Sequence, residues 1–464
     1  MQKKTAGAKS GAFRIIIVGC GKVGHTLTDQ LAREGHDITI IDTNEHVIRS
    51  VTDAVDVMGV CGNGASLRIL EDAGLKEADL VIAVTGSDEL NLLCCTIAKK
   101  VRLNIAAIAR VRNPDYSEEL PYLRQQLGLS MIINPDLEAA REIMRLLASP
   151  QALEISSFAK GNAELVRFKI PEGNVLCGKR IMQLSPLFAF DFLICAVDRA
   201  GEVVIPSGSF DLKAGDEITI IVASRDVHRI FDSIGMTSRA VHSCMIAGGG
   251  RTSYYLARLL LGQKMDVKII EQRRERCEEL TELLPGATIL CGDGGDESVL
   301  YEEGIDSAEA FAALTGIDEE NILLTLFAKR FSGLKTITKI NRITFSDVID
   351  GLDLGSVVYP KHITSERICT YVRGRQNASG SAVETMVHLF DGRAEAISFH
   401  VEKDSPVVGV PLMQLKKKDN LLIACINRAG RIFFPRGQDA IEPGDYVIVV
   451  TTHAGFTDLS DILL

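Results

Sequence analysis

From residue 14 onward, short apolar runs alternate with longer amphipathic stretches. Residues 14–19, 37–42, 79–84 and 104–110 are almost continuously apolar, the pattern of strands buried on both faces of a parallel sheet. Between them, 23–34, 64–73 and 87–101 carry apolar residues at helical spacing. Alternation of this length predicts a doubly wound sheet with right-handed crossovers. Residues 163–223 read differently. Apolar and polar positions alternate there over short stretches, with turn signals at Pro171-Glu172-Gly173 and Asp198-Arg199-Ala200-Gly201, which predicts a compact α+β module. A helix starting at Asp136, after Asn134-Pro135, is expected to bridge the larger and the smaller part.

The pattern is written twice. Ile17-Val18-Gly19-Cys20-Gly21 returns as Ile246-Ala247-Gly248-Gly249-Gly250, and Asp42 as Glu271. Cys61-Gly62-Asn63-Gly64 returns as Cys291-Gly292-Asp293-Gly294, and Thr85, Asp88 and Asn91 as Thr315, Asp318 and Asn321. The smaller part repeats too. Met182-Gln183-Leu184 returns as Met413-Gln414-Leu415, and Ala214-Gly215-Asp216 as Pro443-Gly444-Asp445. Matches at one nearly constant spacing mean tandem units, each with a larger and a smaller part. The expected fold class is therefore α/β: two tandem Rossmann-like doubly wound parallel sheets, each followed by a small α+β domain. The expected boundaries are a tail over 1–12, a Rossmann-like domain over 13–135, a linker helix over 136–152 and a small domain over 153–236. A second Rossmann-like domain over 241–367, a linker over 368–382 and a second small domain over 383–464 complete the chain.

Composition narrows the function. With 51 basic and 61 acidic residues the chain carries −10, which opposes binding to a phosphate backbone, so no nucleic-acid partner is expected. Eleven cysteines include no C-x-x-C pair, so they read as reduced thiols and not as a metal site. The basic N-terminus lacks the apolar region of a signal peptide, and no stretch reaches the roughly 20 apolar residues that span a bilayer.

The candidate chemistry begins at Gly19-x-Gly21-x-x-Gly24, which follows a strand and opens a helix. Glycine at these sites permits a tight turn, close approach of a pyrophosphate, and packing of helix on strand. Gly19, Cys20, Gly21, Lys22, Val23 and Gly24 are expected to present backbone N–H groups to phosphates at the helix N-terminus. Asp42, ending the second strand, is placed to accept from ribose hydroxyls. A 2′-phosphate about 5 Å from that carboxylate would be repelled by roughly 3 kcal/mol per unit charge, which favours NAD(H) or an adenosine phosphate over NADP(H). In the second half the motif is Gly248-x-Gly250-x-x-Ser253, with Glu271 for the acid; it is read as a second nucleotide site or as a structural copy. Lys22 and Arg251 are either phosphate clamps or solvated residues of the first helical turn. Thr85, Asp88 and Thr315 lie past the fourth strand of each sheet, where ligands bind; Asp88 is either a ligand contact or a helix cap. Asn63 and Asp293 are turn residues or contacts to an adenine edge. His25 and His36 are expected at the surface, and Arg273 to Glu279 as a solvated helix face.

No His–acid pair, Tyr-x-x-x-Lys or metal-ligand cluster accompanies either glycine turn, so no catalytic residue and no metal ligand is assigned. The order Gly-x-Gly-x-x-Gly, Gly35-His36-Asp37, Ile41-Asp42, Gly62-Asn63-Gly64, Ala78 to Thr85 and Asp88-Glu89-Leu90-Asn91 resembles the RCK, or KTN, domain. Two such domains, each followed by an RCK C-terminal domain, resemble the cytosolic regulatory subunits of the Trk potassium-uptake system. The resemblance implies NAD(H) and ATP/ADP as regulatory ligands that are not turned over. It implies a homo-oligomeric ring, a tetramer, on the cytoplasmic face of the membrane beneath an integral-membrane potassium channel subunit. Gly19, Gly21, Gly24 and Asp42 would hold the first nucleotide, and Arg251 stands where some RCK domains bind phosphate. An NAD-dependent oxidoreductase and a regulator of another cation transporter are the competing readings.

Overall fold

The computed structural model describes residues 12–116, 119–184, 188–236, 241–341, 352–376, 383–390 and 392–464. Residues 1–11 of the expected tail and 377–382 of the expected linker lie outside the described residues. The chain divides into two compact units: residues up to Ala139 with Tyr359–Cys369, and Ala140–Val358 with Thr370–Leu464.

In the first unit, β1 (Arg14–Val18), β2 (Asp37–Asp42), β3 (Met58–Cys61), β4 (Leu80–Ala83), β5 (Ala106–Arg110) and β6 (Met131–Ile133) form one parallel sheet. Its order is β3-β2-β1-β4-β5-β6, so the winding reverses between β1 and β4. Helices α1 (Lys22–Arg33), α2 (Glu45–Ala54), α3 (Leu67–Asp72), α4 (Asp88–Val101) and α5 (Leu120–Gln126) connect the strands, and α6 (Pro135–Ala148) follows. Ile15 to Val18 are buried on both faces of the sheet, which is why β1 is apolar at consecutive positions. Helix α1 turns Val23, Leu27 and Leu31 inward at helical spacing.

In the second unit, β7 (Glu154–Phe158), β8 (Ala163–Lys169), β9 (Phe192–Arg199), β10 (Glu202–Val204) and β11 (Glu217–Ala223) make an antiparallel sheet, followed by α7 (Val227–Ser233). A second parallel sheet contains β12 (Ser243–Ala247), β13 (Asp266–Glu271), β14 (Thr288–Cys291), β15 (Ala310–Ala313), β16 (Lys335–Lys339) and β17 (Ser356–Val358). Its order, β14-β13-β12-β15-β16-β17, repeats that of the first. Helices α8 (Arg251–Gly262), α9 (Arg274–Leu283), α10 (Glu297–Glu302) and α11 (Asp318–Ala328) cover it. After α12 (Pro360–Gln376), strands β18 (Val383–Leu389), β19 (Ala394–His400), β20 (Leu421–Arg428), β21 (Arg431–Phe433) and β22 (Tyr446–Thr451) form the last antiparallel sheet.

The architecture is the expected class. The structure adds β3, α2 and β6, which the hydrophobic pattern did not announce. Helix α12 also runs through position 368, where a linker was expected to begin. His36 is a correction: it is buried, stacks on Phe13, and its Nδ1 accepts from Phe13 N at 3.1 Å, so it closes the start of β1 instead of facing water.

The two small sheets share one core. Phe158, Cys195 and Ile221 from the first pack in a single cluster with Phe390, Cys425 and Ile448 from the second. Each small sheet also carries the same clamp. Arg199 Nε and Nη2 donate to the two Asp216 oxygens at 2.7 Å each, and Arg428 Nε and Nη2 to those of Asp445 at 2.9 and 2.8 Å. A third pair, Arg373 of α12 and Glu395 of β19, is almost wholly buried, with N···O 3.2 Å.

Burial alone would raise the Glu395 carboxyl, but the hydrogen bond from His388 and the Arg373 guanidinium outweigh it and hold it at about 2. Because this folded value lies below the unfolded one, the stability it contributes is complete above the ordinary glutamate range and is lost as pH falls towards 2. Urea midpoints of the wild type should fall more steeply between pH 4.5 and about 2 than those of Glu395→Gln. Parallel pH profiles for the two proteins would contradict this assignment.

Candidate functional site

In the first Rossmann-like domain the chain leaves β1 through Gly19, whose φ of +96° lies in the left-handed region that favours glycine. A Cβ here would also meet Thr85 N and Cα at 2.9 Å. At Gly24 a Cβ would stand 1.9 Å from Gly19 O, so the third glycine is required for α1 to approach the turn. Gly21 differs. Among the described residues nothing lies within 4 Å of the position its Cβ would take, so this glycine faces open space beside the helix N-terminus. It is also the N-cap of α1 and has no side chain with which to cap it, which leaves the first-turn N–H groups to an outside acceptor.

Asp42 closes the turn from the side of β2. Its Oδ2 accepts from Cys20 N at 2.8 Å and its Oδ1 from Asn44 N at 2.9 Å. A carboxylate has about four lone-pair sites, so two hydrogen bonds leave it able to accept from a ribose. Burial, with the Asp42 charge adding to it, pushes the Cys20 thiol up to about 12 and leaves it without nucleophilic character. The Cys20 and Val23 side chains are buried; Lys22 and His25 are exposed.

The far wall begins at Thr85, and a wholly buried asparagine anchors it. Asn91 Oδ1 accepts from Thr85 N and Thr85 Oγ1, both at 2.7 Å, while its Nδ2 donates to Thr85 O at 3.3 Å and Arg110 O at 2.9 Å. Asp88 does not cap α4. Ser87 does, accepting from Leu90 N at 3.1 Å. The buried Asp88 instead accepts at Oδ2 from Arg112 N at 2.8 Å and Asn113 N at 2.7 Å, tying the loop after β5. Asn63 is exposed and accepts from Ala65 N at 2.9 Å, the geometry of a turn.

The second Rossmann-like domain repeats this construction. Gly248 has φ +96°, and its Cβ would meet Thr315 Cα at 2.9 Å. Gly250 faces open space and starts α8 without a side-chain cap. Glu271 accepts at Oε2 from Gly249 N at 2.8 Å and at Oε1 from Arg273 N at 2.9 Å. Burial opposes its charge, but these backbone bonds and the Arg273 side chain prevail and lower its pKa. Asn321 holds Thr315 N at 2.8 Å and Lys339 O at 2.9 Å, as Asn91 does in the first domain. Asp293 repeats the turn of Asn63, accepting from Gly295 N at 2.8 Å. Ser253 is fully buried where Gly24 stands in the first copy, and its hydroxyl has no hydrogen-bond partner among the described residues.

A cleft of about 350 Å³ opens here, walled by Gly248, Gly250, Glu271, Arg273, Thr315 and Lys339 among others. Arg251 is exposed at the first position of α8 and is not part of this wall. Three residues of the second site were not singled out from the sequence. Arg273 stands beside the acid, Lys339 Nζ donates to Leu314 O at 2.9 Å, and Arg276 turns inward to donate to Gly249 O at 2.8 Å. The stretch Arg273 to Glu279 is therefore only partly a solvated face. The outward-facing N–H groups suit a polyphosphate and the flanking acid suits a ribose, so the residues present fit a nucleotide in either copy. Among the described residues no group of His, Cys, Asp and Glu is arranged to hold a metal ion.

Residues 15–135 and 244–360 match the model of the TrkA-N domain, and 165–235 and 397–464 that of the TrkA-C domain. The chain is similar to the Trk system potassium uptake protein TrkA of Haemophilus influenzae, 31% identical over 443 residues that cover 94% of this chain and 95% of that protein. It is also similar to a Trk system potassium uptake protein TrkA homolog of Archaeoglobus fulgidus, 32% identical over 439 residues, 94% of this chain and 97% of that protein. Among solved structures, the GsuK channel bound to NAD superposes with a TM-score of 0.62 at 17% identity, over 96% of this chain and 77% of that one. The GsuK RCK domain gives the same score and identity, over 96% and 93%. At that identity the likeness is one of fold.

The glycine geometry separates packing from binding. Gly24→Ala should cost about 3 kcal/mol of stability, because its Cβ would meet backbone that cannot yield. Gly21→Ala should stay within about 1 kcal/mol of wild type, since its Cβ points into open space. Urea unfolding compares the two directly; equal losses would contradict the assignment of Gly21 to an open cleft.

Proposed function

The chain belongs to the TrkA family, with a TrkA-N and a TrkA-C domain in each half, and on that premise we propose that it is the nucleotide-binding regulatory subunit of a Trk-type potassium-uptake system. The observation that carries the reading is the doubled turn. In each half an uncapped helix start on an outward-facing glycine stands beside a strand-end acid, at the point where the sheet's winding reverses. Gly19 to Gly24 present N–H groups to the phosphates of NAD(H) or ATP/ADP, and Asp42 accepts from the ribose. Gly248, Gly250 and Glu271 do the same in the second half, with Arg273 and Lys339 adding positive charge there.

The ligand acts as a signal and is not consumed. Among the described residues neither glycine turn is accompanied by the His–acid pair or Tyr-x-x-x-Lys set of a dehydrogenase. Among the described residues no helix is long and apolar enough to cross a membrane, so the output is a contact made with a channel subunit in the membrane. The working form is a homotetrameric ring peripheral to the cytoplasmic face. A ligand moves such a ring only through its differential affinity for two states, and a shift from 1:99 to 99:1 takes about 5.5 kcal/mol. Shared by four subunits, that is about 1.4 kcal/mol each, or roughly tenfold preference per site.

Asp42→Ala should weaken nucleotide binding at the first cleft by about 1.5–3 kcal/mol, the range of hydrogen bonds to a charged acceptor. Unchanged NADH and ATP affinities would remove the ribose assignment. Light scattering of the purified protein should give the mass of four chains, and potassium flux through the reconstituted channel should depend on which nucleotide is added. A monomer, a flux indifferent to nucleotide, or steady consumption of NADH would each overturn the reading.

A further inference from the structure

The second Rossmann-like domain holds a thiol pair that the first lacks. Cys291, the last residue of β14, is paired in register with Glu271 across the parallel ladder. Cys277, near the start of α9, donates its thiol to Glu271 O at 3.2 Å, and its Sγ lies 4.0 Å from Leu290 O, on the residue before Cys291. The Cys277 thiol thus lies beside the residue that carries the second thiol, and the Cys291 thiol acts on it to raise its pKa. Cys291 is exposed and Cys277 buried. In the first domain Cys61 keeps the place of Cys291, but Ile48 stands at the position of Cys277, and the Cys61 thiol reaches Thr43 O at 3.7 Å instead.

We propose that Cys291 and Cys277 form a thiol-modification site for low-molecular-weight disulfides of the glutathione type, closing into a disulfide that weakens the second cleft's hold on nucleotide. The second clause rests on the nucleotide reading given above. An exposed thiol is the one an external disulfide reaches, and a second thiol on the neighbouring helix resolves the mixed disulfide. The Cys291 thiolate attacks one sulfur of the small disulfide, and the first small thiolate leaves, taking up the proton that Cys291 lost. The Cys277 thiolate then attacks the Cys291 sulfur, and the second small thiolate leaves with the proton of Cys277. Two protein thiols are oxidised to one disulfide, and one small disulfide is reduced to two thiols. Burial and the neighbouring Cys291 thiol push Cys277 up to about 11, so the resolving thiol stays protonated in the resting pair.

Closure reaches the cleft through Glu271. Its carbonyl accepts from Cys277 Sγ and from Gly292 N, the latter at 3.1 Å, while its carboxylate holds Gly249 N in the glycine turn. A disulfide sulfur has no proton to donate, so oxidation removes the Cys277 bond to that carbonyl and leaves the one from Gly292 N.

The test uses the full chain incubated with glutathione disulfide, alkylated and digested with trypsin. No Lys or Arg separates Cys277 from Lys329, so both thiols fall on one peptide. That peptide should be lighter by two hydrogens, unalkylated at both positions, and restored by dithiothreitol. Cys277→Ser should stop at a glutathione adduct on Cys291, and Cys291→Ser should leave Cys277 unmodified. ATP binding is then measured on the Asp42→Ala background, which leaves the second cleft to report, and oxidation should weaken it about fivefold to tenfold. An adduct on Cys291 that never closes would overturn the proposal, as would a closed disulfide with unchanged affinity. A disulfide that closes in a protein whose reduced form binds no ATP would uphold the thiol site and overturn the nucleotide reading.

Discussion

Where a parallel sheet reverses its winding, two neighbouring strands part, and backbone groups beyond the end of the ladder must find partners elsewhere. In both Rossmann-like domains one buried asparagine meets that demand. Asn91 takes up Thr85 N and Thr85 O and reaches the carbonyl of Arg110, and Asn321 does the same for Thr315 and Lys339. Fixed in this way, Thr85 and Thr315 become the surfaces that leave no room for a side chain at Gly19 and Gly248, where a Cβ would come within 2.9 Å of their backbone. The glycine turn, the uncapped helix start and the position of the acid all follow from that contact. A side chain that merely capped a helix would not place the end of the fourth strand so firmly.

The duplication has a second physical consequence. Each small sheet buries one face, and the two bury theirs against each other, with Cys195 and Ala424, which occupy the same place in the repeat, in a single core. The contact is reinforced at its rim, where Arg393 donates to Asp198 Oδ2 at 2.8 Å and Asn427 Nδ2 to Ala159 O at 3.5 Å. Copies of one module thus act on each other inside one chain. The larger domains have diverged around the turn: Cys20 and Gly24 in the first stand where Gly249 and Ser253 stand in the second, and Arg273 adds a cation to the wall of the second cleft.

The hydrophobic pattern made the central strands legible because burial on both faces leaves no room for polar residues in β1, β4 and β5. It did not show β3, which lies at the sheet edge with Met58 and Gly59 exposed and so has no apolar run. The glycine turn and the two acids could be read because each backbone geometry admits few residue types. Roles fixed by distant partners could not. Asp88 binds the loop after β5, His36 closes the start of β1, and Lys339 and Arg273 enter the second site only once the fold brings strand ends together. The shared core of the small sheets was hidden for the same reason, since periodicity shows that a face is buried but not what covers it.

The two glycine turns are built alike but lined differently, and the proposed function makes each of them a nucleotide site. Titration calorimetry of the full chain with ATP and with NADH counts them directly. The structure predicts saturation at two nucleotides per chain, and one in a variant whose second acid is removed by Glu271→Ala. Saturation at one in the wild type, or a count that the variant leaves unchanged, would contradict it.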